Sequence, residues 1–318
     1  MSLPATWAER LALPVIGAPL FIISNPELTL AQCRAGIVGA FPSLNAREPA
    51  ILDQWLARLG AELGPADAPY AVNLIVHRSN ARLQQDLELC VRHRVPLIIT
   101  SLGAQPAVNE AVHAYGGLVF HDVISDAFAR KAIDKGADGL IAVAAGAGGH
   151  AGTLSPFALV QEIRRWFHGP LALSGAIATG DAILAAQAMG ADLAYIGSPF
   201  IATPEANAPQ AYKQMIVDGS AADIVYTNLF TGVHGNYLAP SIRAAGLDPA
   251  QLPQSDPSKM DFATLADGRK AWKDIWGCGQ GIGAVDAIVP AAERIAALAR
   301  GYRAAAERLT RLTCASRT

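Results

Sequence analysis

From residue 14 onward, short apolar runs alternate with longer stretches whose apolar positions recur at helical spacing. The runs predict strands at 15–18, 37–41, 70–75, 97–101, 118–121, 139–143, 171–173 and 193–196. Between them the longer period predicts helices over about 27–35, 48–63, 80–93, 106–114, 125–135, 156–167 and 180–189. Asn25-Pro26-Glu27 and Ser155-Pro156 read as helix starts with proline in the first turn. Gly36, Gly136 and Gly190 fall where helices should stop. Lys135-Gly136-Ala137-Asp138-Gly139 and Met189-Gly190-Ala191-Asp192-Leu193 repeat one pattern, a helix stop feeding directly into a strand.

Strands that are apolar on both faces, each followed by a helix, imply a parallel sheet. Eight of them predict a closed (β/α)8 barrel of the TIM type over residues 1–217, with site residues on the loops after the strands. A doubly wound open sheet is the alternative, but no strand runs into an intact G-x-G-x-x-G; after Gly146 and Gly148, Ala151 stands where the third glycine would be. The rhythm then changes. A helix is expected over 205–217, a mixed segment at 218–283 covering the barrel mouth, and a mostly helical 284–318 packing on the barrel.

Composition narrows the function classes. With 52% hydrophobic and 16% charged residues the chain can bury a large core. A formal net charge of −2 and no long basic cluster argue against a nucleic-acid partner. Cys33, Cys90, Cys278 and Cys314 form no metal-spaced pair and read as reduced thiols of a cytoplasmic protein. The apolar stretch 11–23 is too short to span a bilayer and carries Pro14, Gly17 and Pro19, so it reads as strand and loop.

The densest chemistry lies after the sixth strand, in Ala144-Ala145-Gly146-Ala147-Gly148-Gly149-His150-Ala151-Gly152. Glycines there let backbone approach a ligand, and a neutral imidazole is suited to moving a proton. The plain alternative is a flexible turn with an incidental histidine. Ser174-Gly175-Ala176-Ile177 and Gly197-Ser198-Pro199-Phe200 follow the seventh and eighth strands, where barrels often bind phosphate; small residues that merely permit tight packing are the competing reading. Asn73 is a polar residue inside an apolar strand and needs a partner. His121 ends a strand, His234 lies in the covering segment, and His77, His93, His113 and His168 read as surface residues. No histidine pair has metal-ligand spacing, so no metal site is expected. Gln280, in a late glycine cluster, would reach the site from the covering segment or simply sit in a linker.

From about Pro14 to Gly283 these motifs together resemble the nitronate monooxygenase family, formerly called 2-nitropropane dioxygenases, which are FMN enzymes on a TIM barrel. Pro14 to Leu20 resembles the family's opening strand and flavin-covering loop, with Leu20 in place of the usual methionine. Gly148-Gly149-His150-Ala151-Gly152 resembles its Gly-Gly-His-x-Gly motif, with Ala147 where an acidic residue often stands. The 174–177 and 197–200 loops resemble its phosphate loops, with Ala176 for a glycine and Ser198-Pro199 departing from the usual sequence. Asn73 resembles a flavin-contacting asparagine, and Gly279-Gln280-Gly281 a late Ala-Gly-Gln segment.

The resemblance implies an FMN-dependent oxidation of alkyl nitronates, or of nitroalkanes, by O2. His150 is then the catalytic residue, taking the α-proton of a nitroalkane or binding nitronate oxygens. Ala18, Pro19, Leu20, Asn73, Gly149, Ser174, Gly175, Ala176, Gly197, Ser198 and Gln280 would contact the cofactor, and Leu20, Phe21 and Leu102 would keep water from the reacting face. The same scaffold also serves NAD(P)H:quinone and enoyl reductases, and a non-catalytic flavin- or phosphate-binding barrel is a third reading. The apolar C-terminal helix would pack on this chain or on a second copy, giving a homodimer.

Overall fold

The computed structural model describes residues 4, 7, 9–255 and 274–315; within the predicted covering segment, 256–273 lie outside the described residues, as does the Cys314 side chain. Eight parallel strands form the barrel: β1 (Val15–Gly17), β2 (Gly39–Pro42), β3 (Tyr70–Ile75), β4 (Leu97–Ser101), β5 (Leu118–Val123), β6 (Gly139–Val143), β8 (Leu171–Ser174) and β9 (Leu193–Ile196). The seam between β1 and β2 is closed by a parallel bridge from Ile16 to Val38. Alternate strand positions fill the interior with Ile16, Ala71, Ile99, Phe120, Ile141 and Leu193. The opposite positions, among them Val72, Ile98 and Val119, pack under the helices.

Helices follow the strands at Pro26–Arg34, Pro49–Glu62, Leu83–Arg92, Pro106–His113, Asp126–Asp134, Pro156–Arg164 and Gly180–Met189. Their boundaries have local causes. Asn25 Oδ1 accepts from the Leu28 N–H at 2.8 Å, and Thr179 caps the Ala182 N–H at 3.2 Å. Ser155 makes no side-chain cap, so that helix begins on its proline alone. Gly36, Gly136 and Gly190 have φ of +85°, +95° and +113°, the left-handed conformation that ends a helix without strain in glycine.

The tail of the barrel differs from expectation. The helix expected over 205–217 is Gln210–Asp218, because Pro209 fixes its start. The long terminal helix begins at Ala291 rather than 284, since Pro290 pushes Val289 toward extended backbone, and the Ala291 N–H is accepted by the Glu205 carboxylate. This helix, Ala291–Ala315, lies across Gly180–Met189 and Pro26–Arg34 and so stands where the barrel's eighth helix belongs. Between them runs a small antiparallel sheet, β10 (Ile224–Thr227), β11 (Gly235–Leu238) and β7 (Gly149–His150), which sequence periodicity did not predict.

Candidate active site

One large cavity of about 1250 Å³ opens at the C-terminal ends of the barrel strands. Ala18, Pro19, Leu20, Asn73, Gly149, His150, Ser174, Gly175, Ala176, Gly197 and Ser198 all line it. Gln280 does not: its backbone N–H bonds to Gly146 O at 2.9 Å and the residue is exposed, while its neighbours Gly279 and Gly281 reach the cavity. His234 also stands apart, exposed and stacked on Tyr226 at 5.0 Å.

Close backbone approach explains the glycines around His150. Gly149 and His150 pair with Asn236 and Gly235 of β11. A Cβ on Gly235 would lie 2.8 Å from Gly149 O, and one on Gly148 would lie 2.7 Å from Gly279 N. Asn236 Nδ2 donates to Ala147 O at 2.6 Å, and Tyr226 Oη to Ala151 O at 3.0 Å. The histidine loop is therefore clamped by the covering segment rather than flexible.

The His150 ring meets Thr231, with Nε2 3.0 Å from Thr231 Oγ1. That hydroxyl has one hydrogen, and it donates to Val233 O at 2.9 Å. With that hydrogen on Val233 O, Thr231 accepts from His150, which corresponds to the tautomer protonated on Nε2 and basic at Nδ1. Burial pulls the imidazole down to about 4, so the ring is neutral at pH 7.

The rest of the cavity wall is equally built. Asn45 pins the 18–24 loop, donating to Leu20 O and Ser24 O and accepting from the Ile22 N–H. Among the described residues four non-glycines have positive φ, and three of them, Ile22, Leu102 and Ala176, line the cavity, which is where strained backbone tends to gather. On the inward positions of β3, β4 and β5, Asn73 Nδ2 donates to Ser101 Oγ at 2.7 Å and Ser101 Oγ to Asp122 Oδ2 at 2.5 Å. Asn73 gives its other amide hydrogen to Ile99 O at 3.0 Å, which leaves Oδ1 with no partner among the described residues. His121 lies beside them, 2.6 Å from Thr100, and is held down to about 4 by burial and then by Lys135. Ser101, Asp122, Thr231 and Asn45 were missed in the sequence. The first two carry the same signal as Asn73, a polar residue on an apolar strand, whereas Thr231 and Asn45 act across loops and leave no local signal.

These residues fit a phosphorylated ring cofactor. Ser174, Gly175, Ala176, Gly197 and Ser198 bring backbone to one wall with little side-chain bulk, although the Ser198 hydroxyl is already held by the Gly279 N–H at 2.8 Å. Among the described residues no cluster of three or more histidine, cysteine or acidic side chains could hold a metal ion, and no helix is long and apolar enough to cross a membrane.

Fold and cavity together define a TIM barrel with its candidate site at the C-terminal mouth. Residues 41–301 match the family described as nitronate monooxygenase, and the chain belongs to that family of flavin enzymes. A nitronate monooxygenase of Paraburkholderia phytofirmans is 26% identical, with 93% of this chain and 94% of the relative covered. Among solved structures, nitroalkane oxidase from Streptomyces ansochromogenes superposes with a TM-score of 0.81 at 23% identity, over 96% of this chain and 100% of that one. FabK from Thermotoga maritima has a TM-score of 0.80 at 25% identity, over 95% and 96%. Both likenesses are of the fold.

Proposed function

We propose that this chain is an FMN-dependent nitronate monooxygenase in which His150 is the base. The observation that carries this reading is the His150 ring held 3.0 Å from Thr231 Oγ1, in a cavity also lined by the small-residue loops at 174–176 and 197–198. FMN, when bound, supplies the electron acceptor that O2 later reoxidises. Ser174, Gly175, Ala176, Gly197 and Ser198 would hold its phosphate. Gly149, Asn73 and the 18–20 loop would position its ring, and Gln280 would support the site only through the backbone of Gly146.

His150 Nδ1 takes the α-proton of a neutral nitroalkane and so generates the nitronate in place. Because Nε2–H is committed to Thr231, a neutral His150 offers a nitronate oxygen no donor of its own; this favours the base role over anion binding. Leu20, Phe21 and Leu102 give the cavity an apolar side that excludes water. The enzyme in this reading works in the cytoplasm, in keeping with buried thiols at Cys33, Cys90 and Cys278. The exposed Leu309 and Leu312 of the terminal helix are the face for a homodimer.

The deciding experiment is the visible spectrum of the purified protein, recorded anaerobically before and after adding a small alkyl nitronate. A flavin band that bleaches, followed by oxygen uptake on admitting air, is expected. A flavin band that responds to NAD(P)H and not to nitronate would replace this reading with a reductase. Bound flavin that responds to neither would leave a binding protein.

A further inference from the structure

The cavity contains a carboxyl group for which the reading above has no use. Asp122 occupies an inward position near the end of β5, where apolar Phe120 lies one interior layer below it. Its Oδ2 accepts from Ser101, whose own Oγ accepts from Asn73, so every donor in this line points toward the carboxyl. Oδ1 has no hydrogen-bond partner among the described residues, and no described lysine or arginine forms an ion pair with Asp122. A carboxyl with a single neutral donor and no counter-charge, facing a ligand cavity, belongs to a class of groups that hold a proton for use.

The surroundings are specific. Ser101 and Asn73 face Asp122 from β4 and β3, and Tyr195 faces it from β9. His121 precedes it in β5, and Lys131, Lys135 and His150 line the same cavity. Burial pushes the carboxyl up to about 6, against the opposing hydrogen bond from Ser101.

We propose that Asp122 is a second proton-carrying group of this site, whose Oδ1–H, while the carboxyl is protonated, donates a hydrogen bond to the oxygens of a nitro or nitronate group. It supplies the donor that His150, with Nε2–H spent on Thr231, does not. With Oδ2 accepting from Ser101, the acidic hydrogen resides on Oδ1, the atom left for the substrate. When Asp122 ionises, the same position becomes an acceptor with negative charge and turns against the nitronate anion, while a neutral nitroalkane is far less affected. The substrate class in this inference rests on the nitronate reading above; the anion selectivity does not.

The test uses the flavin-loaded protein, wild type and Asp122→Asn, at about pH 5 to 9. Nitrite, an unreactive anion of similar shape, is titrated against the visible flavin band to give a Kd without turnover, and KM for a small alkyl nitronate is measured in parallel. In the wild type both constants should rise about tenfold per pH unit above a single break. In Asp122→Asn that break should vanish. Ser101→Ala, which removes the bond favouring the charged form, should keep the break and move it to higher pH. Nitrite Kd profiles that coincide in wild type and Asp122→Asn would overturn the proposal, and so would a Ser101→Ala break that stays in place. Loss of the nitrite break without nitronate turnover in either protein would support the anion gate and remove only the nitronate assignment.

Discussion

At the scale of single residues the site turns on where hydrogens are committed. Thr231 has one hydroxyl hydrogen and spends it on Val233 O, so the tautomer of His150 follows from a residue 81 positions away in the chain. Thr231→Val keeps the side-chain shape and removes the acceptor. Turnover of a neutral nitroalkane should fall about tenfold, on the order of 1.4 kcal/mol in the barrier, while Thr231→Ser should stay near wild type. His150→Ala should retain bound flavin and lose about 10²–10⁴-fold in kcat/KM on the nitroalkane, with turnover of the preformed nitronate largely spared. Equal loss on nitroalkane and nitronate would remove His150 from proton abstraction and return it to substrate binding.

At the scale of elements, the two repeated motifs have one structural job. Asp138 Oδ2 accepts the Val119 N–H at 2.7 Å and Asp192 Oδ2 the Leu171 N–H at 3.0 Å, each aspartate catching the first residues of the neighbouring strand. Asp192 is also bound by Arg164 at 2.7 Å in a pair whose side chains are only 14% and 20% exposed. Asp192→Ala should therefore destabilise by about 2–3 kcal/mol, leaving a buried N–H and a guanidinium short of partners; chemical denaturation measures it. Asp138→Ala should cost less, because its contact with His113 is more exposed. Elements of this kind were legible in the sequence because period and punctuation agree locally: β3, β4, β6 and β9 appear with the boundaries that the apolar runs predict. What periodicity could not supply was pairing at a distance. β7 has two residues and exists only because Gly235 and Asn236 of β11 come beside it, and no local pattern encodes that. Asn73 was legible as a polar residue in an apolar strand, yet its partner Ser101, and Asp122 beyond it, emerge only when β3, β4 and β5 are laid side by side.

At the scale of the whole molecule, the barrel is completed by a helix from the far end of the chain. A Cβ on Gly180 would lie 2.0 Å from Tyr302 N, so the first turn of the 180–189 helix touches the backbone of the terminal helix directly. Tyr302 to Gln187 and Arg308 to Asp181 extend that contact along its length. The same global packing buries the titrating groups, and together they fix how stability depends on pH. His150 and His121 are depressed to about 4 in the folded chain, from an unfolded value near 6.5. Their unfolded forms bind protons first, so the stability tied to their burial is complete above about 6.5 and drains away as the pH falls toward 4. Asp122 runs the other way. Raised to about 6 from 3.8, it contributes most below about 3.8, and that contribution is lost as the pH rises through 6. Thermal melts across this range should show wild type losing stability on acidification between about 6.5 and 4, and His121→Gln should flatten the slope. Asp122→Asn should gain on wild type at pH 8 and not at pH 4, because only the ionised carboxyl is penalised by the cavity wall. A uniform offset between Asp122→Asn and wild type at both pH values would mean that Asp122 has the same proton affinity folded and unfolded, and that the barrel mouth exerts no pressure on its charge.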